Sequence, residues 1–416
     1  MGNSGIGWLA TDPLFNSPVL MTSMKTLNLR LSYEPFDGLK VELTANRSYT
    51  ENNSINYNTT NDTFFVSPKP TTIGNFSMTV ISFKSFEKLS SDSNYKSKYF
   101  IKFLNNRETI RLRLDSATAQ NPNYPGYRQN VKNNGEGFSK NSQQVLIPTF
   151  LSTYGGYGTK KVPIDLIPST KFMLPNWRIT YDGLSNLPFI KEYFRSITLS
   201  HSYTSTYNIG AFASNLNDST SRDPKYSNDK FNYSRDVLGN YVPEFDVTSV
   251  SINEQFSPFI GIDMNWKNNL NTRFDFKKSR TVSLSLSNDA ITETRNLEYV
   301  FGVGYRFPDV PLKFISMNGG QSTVKSDLNV HVDFSIRDDY TLIESIEDAQ
   351  AQTTDLTPST TAGNMNEKIS VTADYALSDR LNVRLFYERA LSDPHVGSYK
   401  TINTNIGFSV KFTLAK

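Results

Sequence analysis

Three histidines are the side chains whose ordinary pKa lies nearest neutrality, and each stands apart from the partners that chemistry would need. His201 falls in register with the apolar Ile197, Leu199 and Tyr203; His331 sits on a polar face; His395 lies in the turn SDPHVG. None has a second histidine or a carboxylate at metal-ligand spacing, so each reads as a structural or surface residue. The chain has no cysteine, which excludes disulfides and thiolate metal sites. No G-x-S-x-G elbow accompanies the histidines, although a Ser/His/Asp or Ser/His/Asn site built from distant segments stays open. Gly302 and Gly304 lie inside a strand pattern with no helix after them. They do not form a dinucleotide fingerprint; glycine there permits tight strand packing or curvature. No catalytic residue, cofactor or metal is expected.

The residues that do carry a signal are those that alternate. Ile402, Thr404, Ile406, Phe408, Val410, Phe412 and Leu414 fall on one face of a strand, and Asn403, Asn405, Gly407, Ser409, Lys411 and Thr413 on the other. Such a run, about thirteen residues, is long for a globular strand of roughly five or six, and enough to cross hydrocarbon, which takes about nine to eleven. The same alternation sets Leu270, Thr272, Phe274 and Phe276 against Arg273, Asp275 and Lys277. It also sets Leu328, Val330, Val332, Phe334 and Ile336 against Asp327, His331, Asp333 and Arg337. The expected fold is all-β, a transmembrane antiparallel β-barrel with a strand-poor insert. Arg273, Asp275, Lys277, Asp333, Arg337, Asp374 and Arg384 are the candidates to line its lumen; Leu328, Val330, Val332, Phe334, Ile406, Phe408, Val410 and Phe412 are the candidates to face lipid. A soluble β-sandwich shows the same alternation strand by strand, but strand length and repetition count against it. Tyr33, Tyr49, Trp266, Tyr305 and Tyr387 fall near strand ends, where an aromatic girdle would sit.

Composition agrees. Of 416 residues only 37% are hydrophobic, and mean hydropathy is -0.45. Both values exclude a membrane-embedded helical bundle, and no run approaches the roughly eighteen apolar residues of a spanning helix. A barrel escapes this limit because only alternate residues meet lipid. Tyr 22 and Phe 28 against Trp 3 supply rings for a membrane boundary. Lys+Arg 43 against Asp+Glu 40 gives a net charge of +3, which offers no concentrated basic patch for a nucleic acid.

Along the chain, residues 1–83 read as strands with a polar loop, 84–174 as a strand-poor insert, and 175–416 as barrel strands. The opening MGNSGIGWLA lacks the basic and apolar regions of an export signal, so an exported barrel is expected to begin inside a longer polypeptide. Ile6 stands where a myristoylation motif needs Ser or Thr, and that reading is set aside. A hairpin joins Thr26 to Tyr33 with Lys40 to Tyr49 through Asp37-Gly38; a loop follows from Thr50 to Thr72, then a strand from Asn75 to Phe83. The sequons at Asn46, Asn52, Asn58, Asn61 and Asn75 are what Asn/Ser/Thr-rich sequence produces by chance.

In the insert, Tyr99 to Leu114 and Ser142 to Tyr154 are candidate short helices, separated by a Gly/Pro-rich break from Asn121 to Gly137. An insert this long folds into a lumen, caps an end or holds a partner, or else is an ordinary solvated loop. Later strands are expected at Asn176 to Tyr181, Ser196 to Ala211, Val247 to Phe256, Pro258 to Trp266, Leu270 to Lys277, Thr281 to Ser287, Thr292 to Phe307, Lys325 to Arg337, Tyr340 to Ile346, Lys368 to Leu377, Leu381 to Arg389 and Thr401 to Leu414. A polar loop is expected from Ser214 to about Glu244. If Ser257-Pro258 merely bends one strand, the count is odd, and bacterial single-chain barrels close with even numbers.

The block PNWRITYDGLSNLPFIKEYFRSITLSHSYTSTYNIG from Pro175 to Gly210 resembles the SprA/Sov family, the outer-membrane translocon of the type IX secretion system in Bacteroidota, as does the ending LSDRLNVRLFYERALSDPHVGSYKTINTNIGFSVKFTLAK. GLKVELTANRSYT, SVSINEQFSPFIGIDMNWKNNL, GVGYRFPDV and KSDLNVHVDFSIRDD extend the likeness over nearly the whole chain. The resemblance implies the C-terminal portion of a very large barrel, of about 36 strands, that conducts folded cargo with C-terminal targeting domains, gliding adhesins among them in motile species. It implies as partners the remainder of the translocon barrel, a PorV-type barrel protein, a periplasmic plug protein, the secreted cargo and membrane lipid. It implies no catalytic residue. The family protein is several times longer and carries an export signal, and here Phe412 and Leu414 stand in for the terminal aromatic of a barrel strand. A self-contained porin or receptor-like barrel is the alternative from another class, and a barrel hydrolase the enzyme alternative.

Overall fold

The computed structural model describes residues 18–55, 57–60, 63–66, 71–86, 97–120, 138–215, 242–315, 321–346, 359–378, 380–397 and 399–413. Its strands are β1 (Val19–Phe36), β2 (Leu39–Ile55), β3 (Tyr57–Thr60), β4 (Thr63–Val66), β5 (Thr71–Thr79), β6 (Asn176–Tyr181), β7 (Phe194–Ser214), β8 (Phe245–Val247), β9 (Ser249–Trp266), β10 (Leu270–Ser285), β11 (Ala290–Ile315), β12 (Gln321–Ser345), β13 (Ser359–Ser378), β14 (Leu381–Pro394) and β15 (Thr401–Phe412). Among the described residues thirteen of them form one sheet, in the order β1-β2-β5-β7-β9-β10-β11-β12-β13-β14-β15, with β6 and β8 beside the path. Every pairing is antiparallel. The all-β expectation therefore holds. Among the described residues β1 does not pair with β15, so the sheet has two edges.

The strands are long because neighbouring hairpin partners stay paired along nearly their whole length, with only local register shifts such as that between Phe307 and Val310. β11 has 26 residues and β12 has 25, several times the usual five or six. Three expected pairs of short segments are single strands. β9 runs through Ser257-Pro258, with a register shift opposite Phe276 and Lys278; β10 joins the segments expected at Leu270 and Thr281; β12 joins those expected at Lys325 and Tyr340. The sequence hides this continuity because Lys278, Arg280 and Asp338 fall where the apolar face should continue. The Asp37-Gly38 hairpin is present, with Gly38 in the left-handed region at φ 84°. The segment expected as a loop from Thr50 to Thr72 is partly strand: β2 continues to Ile55, β3 and β4 form a separate hairpin, and β5 begins at Thr71. The break from Asn121 to Gly137, most of the loop from Ser214 to Glu244, Asn61 and Leu414 lie outside the described residues.

β5 and β6 are two halves of one strand position. β5 pairs with residues 47–54 of β2 and 206–213 of β7, and β6 continues the ladder with residues 39–44 of β2 and 199–203 of β7. The chain leaves the sheet after Thr79 rather than after Phe83, and returns at Asn176. The seam stays bonded: Val80 N donates to Ser205 O at 3.2 Å, and Leu174 N to Thr79 O at 3.1 Å. Between these points lie helices α1 (Lys98–Gln120) and α2 (Gln143–Tyr154), near the expected positions. A short α3 (Pro188–Tyr193) links β6 to β7. α1 turns Phe100, Phe103, Ile110 and Leu114 inward at helical spacing, and α2 is buried almost throughout. Both pack with Met78, Tyr207, Ile252, Val282 and Ile291 of the sheet in one core.

Candidate functional site

Directly opposed residues of an antiparallel ladder share a face, so register sorts the side chains. Arg273 opposes Gly302, Gly302 opposes Asp333, then follow Ser370, Glu388 and Asn405. The neighbouring row is Thr272, Val303, Val332, Val371, Tyr387 and Ile406. Extending each row by twos puts all seven lumen candidates on one face and all eight lipid candidates on the other.

On the polar face, charges of opposite sign adjoin. Arg273 lies 2.5 Å from Asp275, Lys277 3.3 Å from Glu298, Arg337 3.0 Å from Asp339, Lys368 3.0 Å from Glu388, and Arg384 2.6 Å from Asp374. Arg306 pairs with Asp327 on the same face. A concavity of about 530 Å³ opens there, lined by Asp374, Arg384, Ser409 and Lys411 among others. Asp275 departs from its expected place in open water: it is 2% exposed, walled in beside Gly261 and the β9 bulge.

The apolar face carries two rows of rings. Trp177, Tyr203, Phe256, Phe259, Phe276 and Tyr299 follow one another at centroid distances of 4.4, 4.7, 5.1, 5.7 and 4.7 Å across five strands. Toward the other strand ends stand Phe36 with Tyr181, Phe194 with Trp266, and Tyr305 with Phe307. Trp266 and Tyr33 keep their expected end positions, while Tyr305 lies inside β11, which runs on to Ile315, level with the first residue of β10, Leu270. Tyr49 instead stacks on Phe212 at 5.9 Å beneath the insert, and Tyr387 sits mid-strand opposite Val371 and Ile406.

The insert docks on this apolar face. Phe276, Lys278, Arg280, Val282 and Leu284 alternate on one side of β10, so the residues under the helices continue the apolar stripe. At the junction lies a buried ion cluster that sequence reasoning missed. Arg280, whose side chain has no solvent exposure, lies 2.8 Å from Glu254 and 3.6 Å from Glu293, and Arg295 lies 2.7 Å from Glu293. Arg280 donates to Ser85 O at 2.6 Å and Ser85 Oγ at 2.7 Å, and Glu344 accepts from Ser97 N at 3.2 Å. The Phe86 ring faces Lys278 at 3.5 Å, Arg280 at 5.1 Å and Arg295 at 5.3 Å. The available signal was phase: Glu254, Arg280 and Glu293 each stand where alternation demands an apolar residue. Their solvation comes from the insert.

Within the insert, two charge-assisted hydrogen bonds from Arg111, at 2.7 and 3.1 Å, hold the Glu108 carboxyl down at about 2, with Lys140 adding at 3.2 Å. Burial pushes Asp115 up, and burial also raises the Tyr157 phenol, which donates to Phe172 O.

The histidines do not converge on one site. His201 packs among Trp177, Phe256 and Phe259, its Nδ1 2.7 Å from Phe259 O; His331 lies on the polar face against Gly304. His395 has the carboxylate that sequence spacing did not offer. The fold brings Asp338 Oδ1 to 2.7 Å from its Nε2 and stacks Tyr340 on the ring at 4.4 Å. Among the described residues no group of three or more acidic or histidine ligands gathers to hold a metal, and no helix is long and apolar enough to cross a membrane.

No family model and no curated protein matches this chain. Among solved structures it aligns with OmpT, an outer membrane protein of Vibrio cholerae in its trimer form, at 7% identity over 95% of this chain and 99% of that one. The TM-score is 0.22, too loose an overlap to carry an argument about fold or function.

Proposed function

We propose that this chain is a section of the wall of an outer-membrane protein-conducting channel, the translocon of type IX secretion, with its apolar face against lipid and its polar face lining an aqueous passage. The observation that carries this is a long two-faced sheet whose two edges are unpaired among the described residues. Backbone donors and acceptors left bare in hydrocarbon cost several kcal/mol each, so the edges need further strands. Thr413 N donates to Arg380 O at 2.9 Å, so alternate backbone groups, those of Phe408, Val410 and Phe412, aim away from β14 at the open edge. The remainder of a larger barrel supplies the missing strands. A self-contained porin or receptor barrel would instead pair β1 with β15.

The type IX assignment draws on the sequence likeness, whose block from Pro175 to Gly210 builds β6, α3 and β7 around the interrupted strand. In that reading folded cargo passes the polar face, a PorV-type barrel and a periplasmic plug gate the passage, and no catalysis is required. On the same reading the tight turns at Asp37-Gly38 and residues 267–269 fall at the periplasmic end, and the insert, docked on the apolar face toward the opposite end of the strands, stands outside the passage.

Site-specific photo-cross-linking tests the edges. A benzophenone side chain at Lys411 is expected to form an adduct of higher mass, or a link to a strand outside residues 18–413, with cargo export lost when the adduct forms. A link to β1 within the chain, with a detergent-stable closed pore, would establish the porin reading instead.

A further inference from the structure

The polar face shows a charge arrangement unlike that of selective pores. On β7 it presents Thr198, Ser200, Ser202 and Thr204, and on β9 Ser251, Asn253 and Gln255, with no charged side chain in either run. From β10 to β14 it is densely charged, yet Arg273, Lys277, Arg337, Lys368 and Arg384 sit 2.5–3.3 Å from carboxylates of the same or the adjacent strand, and Arg306 pairs with Asp327. Lys313, Lys325 and Asp333 have no ion partner among the described residues; with Asp263, which shares Arg273 with Asp275, the charges of this face from β7 to β14 balance. Nearer β2 cations predominate, with Glu42 flanked by Lys40 at 2.8 Å and Arg30 at 3.5 Å and Arg178 opposite it in register, and Lys411 on β15 is a lone cation among the described residues.

A close pair is a dipole, and its field fades faster with distance than that of a lone charge. Screening at physiological salt acts over about 8 Å, so a molecule beyond that range meets a neutral wall. Pores that select by charge use rings of one sign. We propose that this wall, from β7 to β14, is charge-blind: it presents hydroxyls, amides and charges balanced by neighbours of opposite sign to the passage, and it neither attracts nor repels cargo by net charge. The inference rests on the polar face lining water. It assigns recognition of cargo to other surfaces.

The absence of native cysteine makes the test direct. Ser200→Cys and Ser335→Cys, one in the uncharged sector and one between Asp333 and Arg337, are placed singly in the full chain in its native membrane. Each is reacted with a cationic and an anionic methanethiosulfonate of similar size. The ratio of the two rates, normalised to a free thiol, is expected to stay within about three-fold of unity at both sites. With Ser335→Cys as background, Asp339→Asn should favour the anionic reagent by about four-fold, Arg337→Gln the cationic one, and the double change should restore the starting ratio. A bias of about ten-fold toward one sign at both sites overturns the proposal, as does a ratio unmoved by either single change. Failure of both reagents at both sites, with Val332→Cys reactive instead, would overturn the aqueous-passage reading itself.

Discussion

Replacing Arg280 with methionine, a side chain of similar reach, asks whether buried charge holds the insert against the sheet. The guanidinium faces Glu254 at 2.8 Å and Glu293 at 3.6 Å with no solvent exposure on any of the three beyond 1%, and it donates to Ser85 twice. Removing one partner of a buried pair leaves an uncompensated charge and costs about 3–5 kcal/mol. Since about 1.4 kcal/mol is a factor of ten, the docked insert should open about 140-fold to 4,000-fold more often. Hydrogen exchange in bilayers reads this at residues 82–86 and at α2, while β13 and β14 serve as internal controls. Combining Arg280→Met with Glu254→Gln, while Glu293 keeps Arg295 as its partner, removes the stranded charge and should recover most of the protection, because no buried charge is then left without a partner. Protection in the single variant falling less than ten-fold, or no recovery in the double variant, would refute the assignment of the cluster as an electrostatic fastening.

Acid should loosen α1 in a defined window. Glu108 is held at about 2, below the roughly 4.3 of an unfolded glutamate, so its ionised form stabilises the helix fully above about pH 4.5, and the contribution is lost as pH falls toward 2. Because the carboxylate is 41% exposed, solvent screening limits the effect to about 0.5 kcal/mol. Amide exchange of α1 should show it, and Glu108→Gln should remove this loss of protection on the acid side. On the apolar face, Val332→Arg should lower folding stability in bilayers by about 2–4 kcal/mol, whereas Ser335→Arg on the polar face should change it by less than about 1 kcal/mol; equal costs would disprove the proposed orientation. Alanine at His201, His331 and His395, tested singly, should leave cargo export intact. Loss of export in a His395→Ala variant that still folds would revive a hydrolytic role for the His395 and Asp338 pair.

Sequence alone determined the two-faced strands, because side-chain alternation is a local property of extended backbone. Phe408 and Ser409 must diverge wherever β15 pairs, and the helices near Tyr99 and Gln143 follow from clustered apolar residues at helical spacing. Tertiary structure decided what local period cannot express. The joining of β5 to β6 across the insert depends on β2 and β7, both of which continue past the break. The face on which the insert docks, and hence the reason Glu254, Arg280 and Glu293 interrupt an apolar stripe, exists only when three strands and the Ser82 to Phe86 segment meet. The same holds for Asp338 reaching His395 from a strand two positions away. A charged residue on a greasy face looks like a break in a strand until the partner that solvates it is in place, and that partner is distant in sequence because burial, unlike alternation, is a property of the assembled chain.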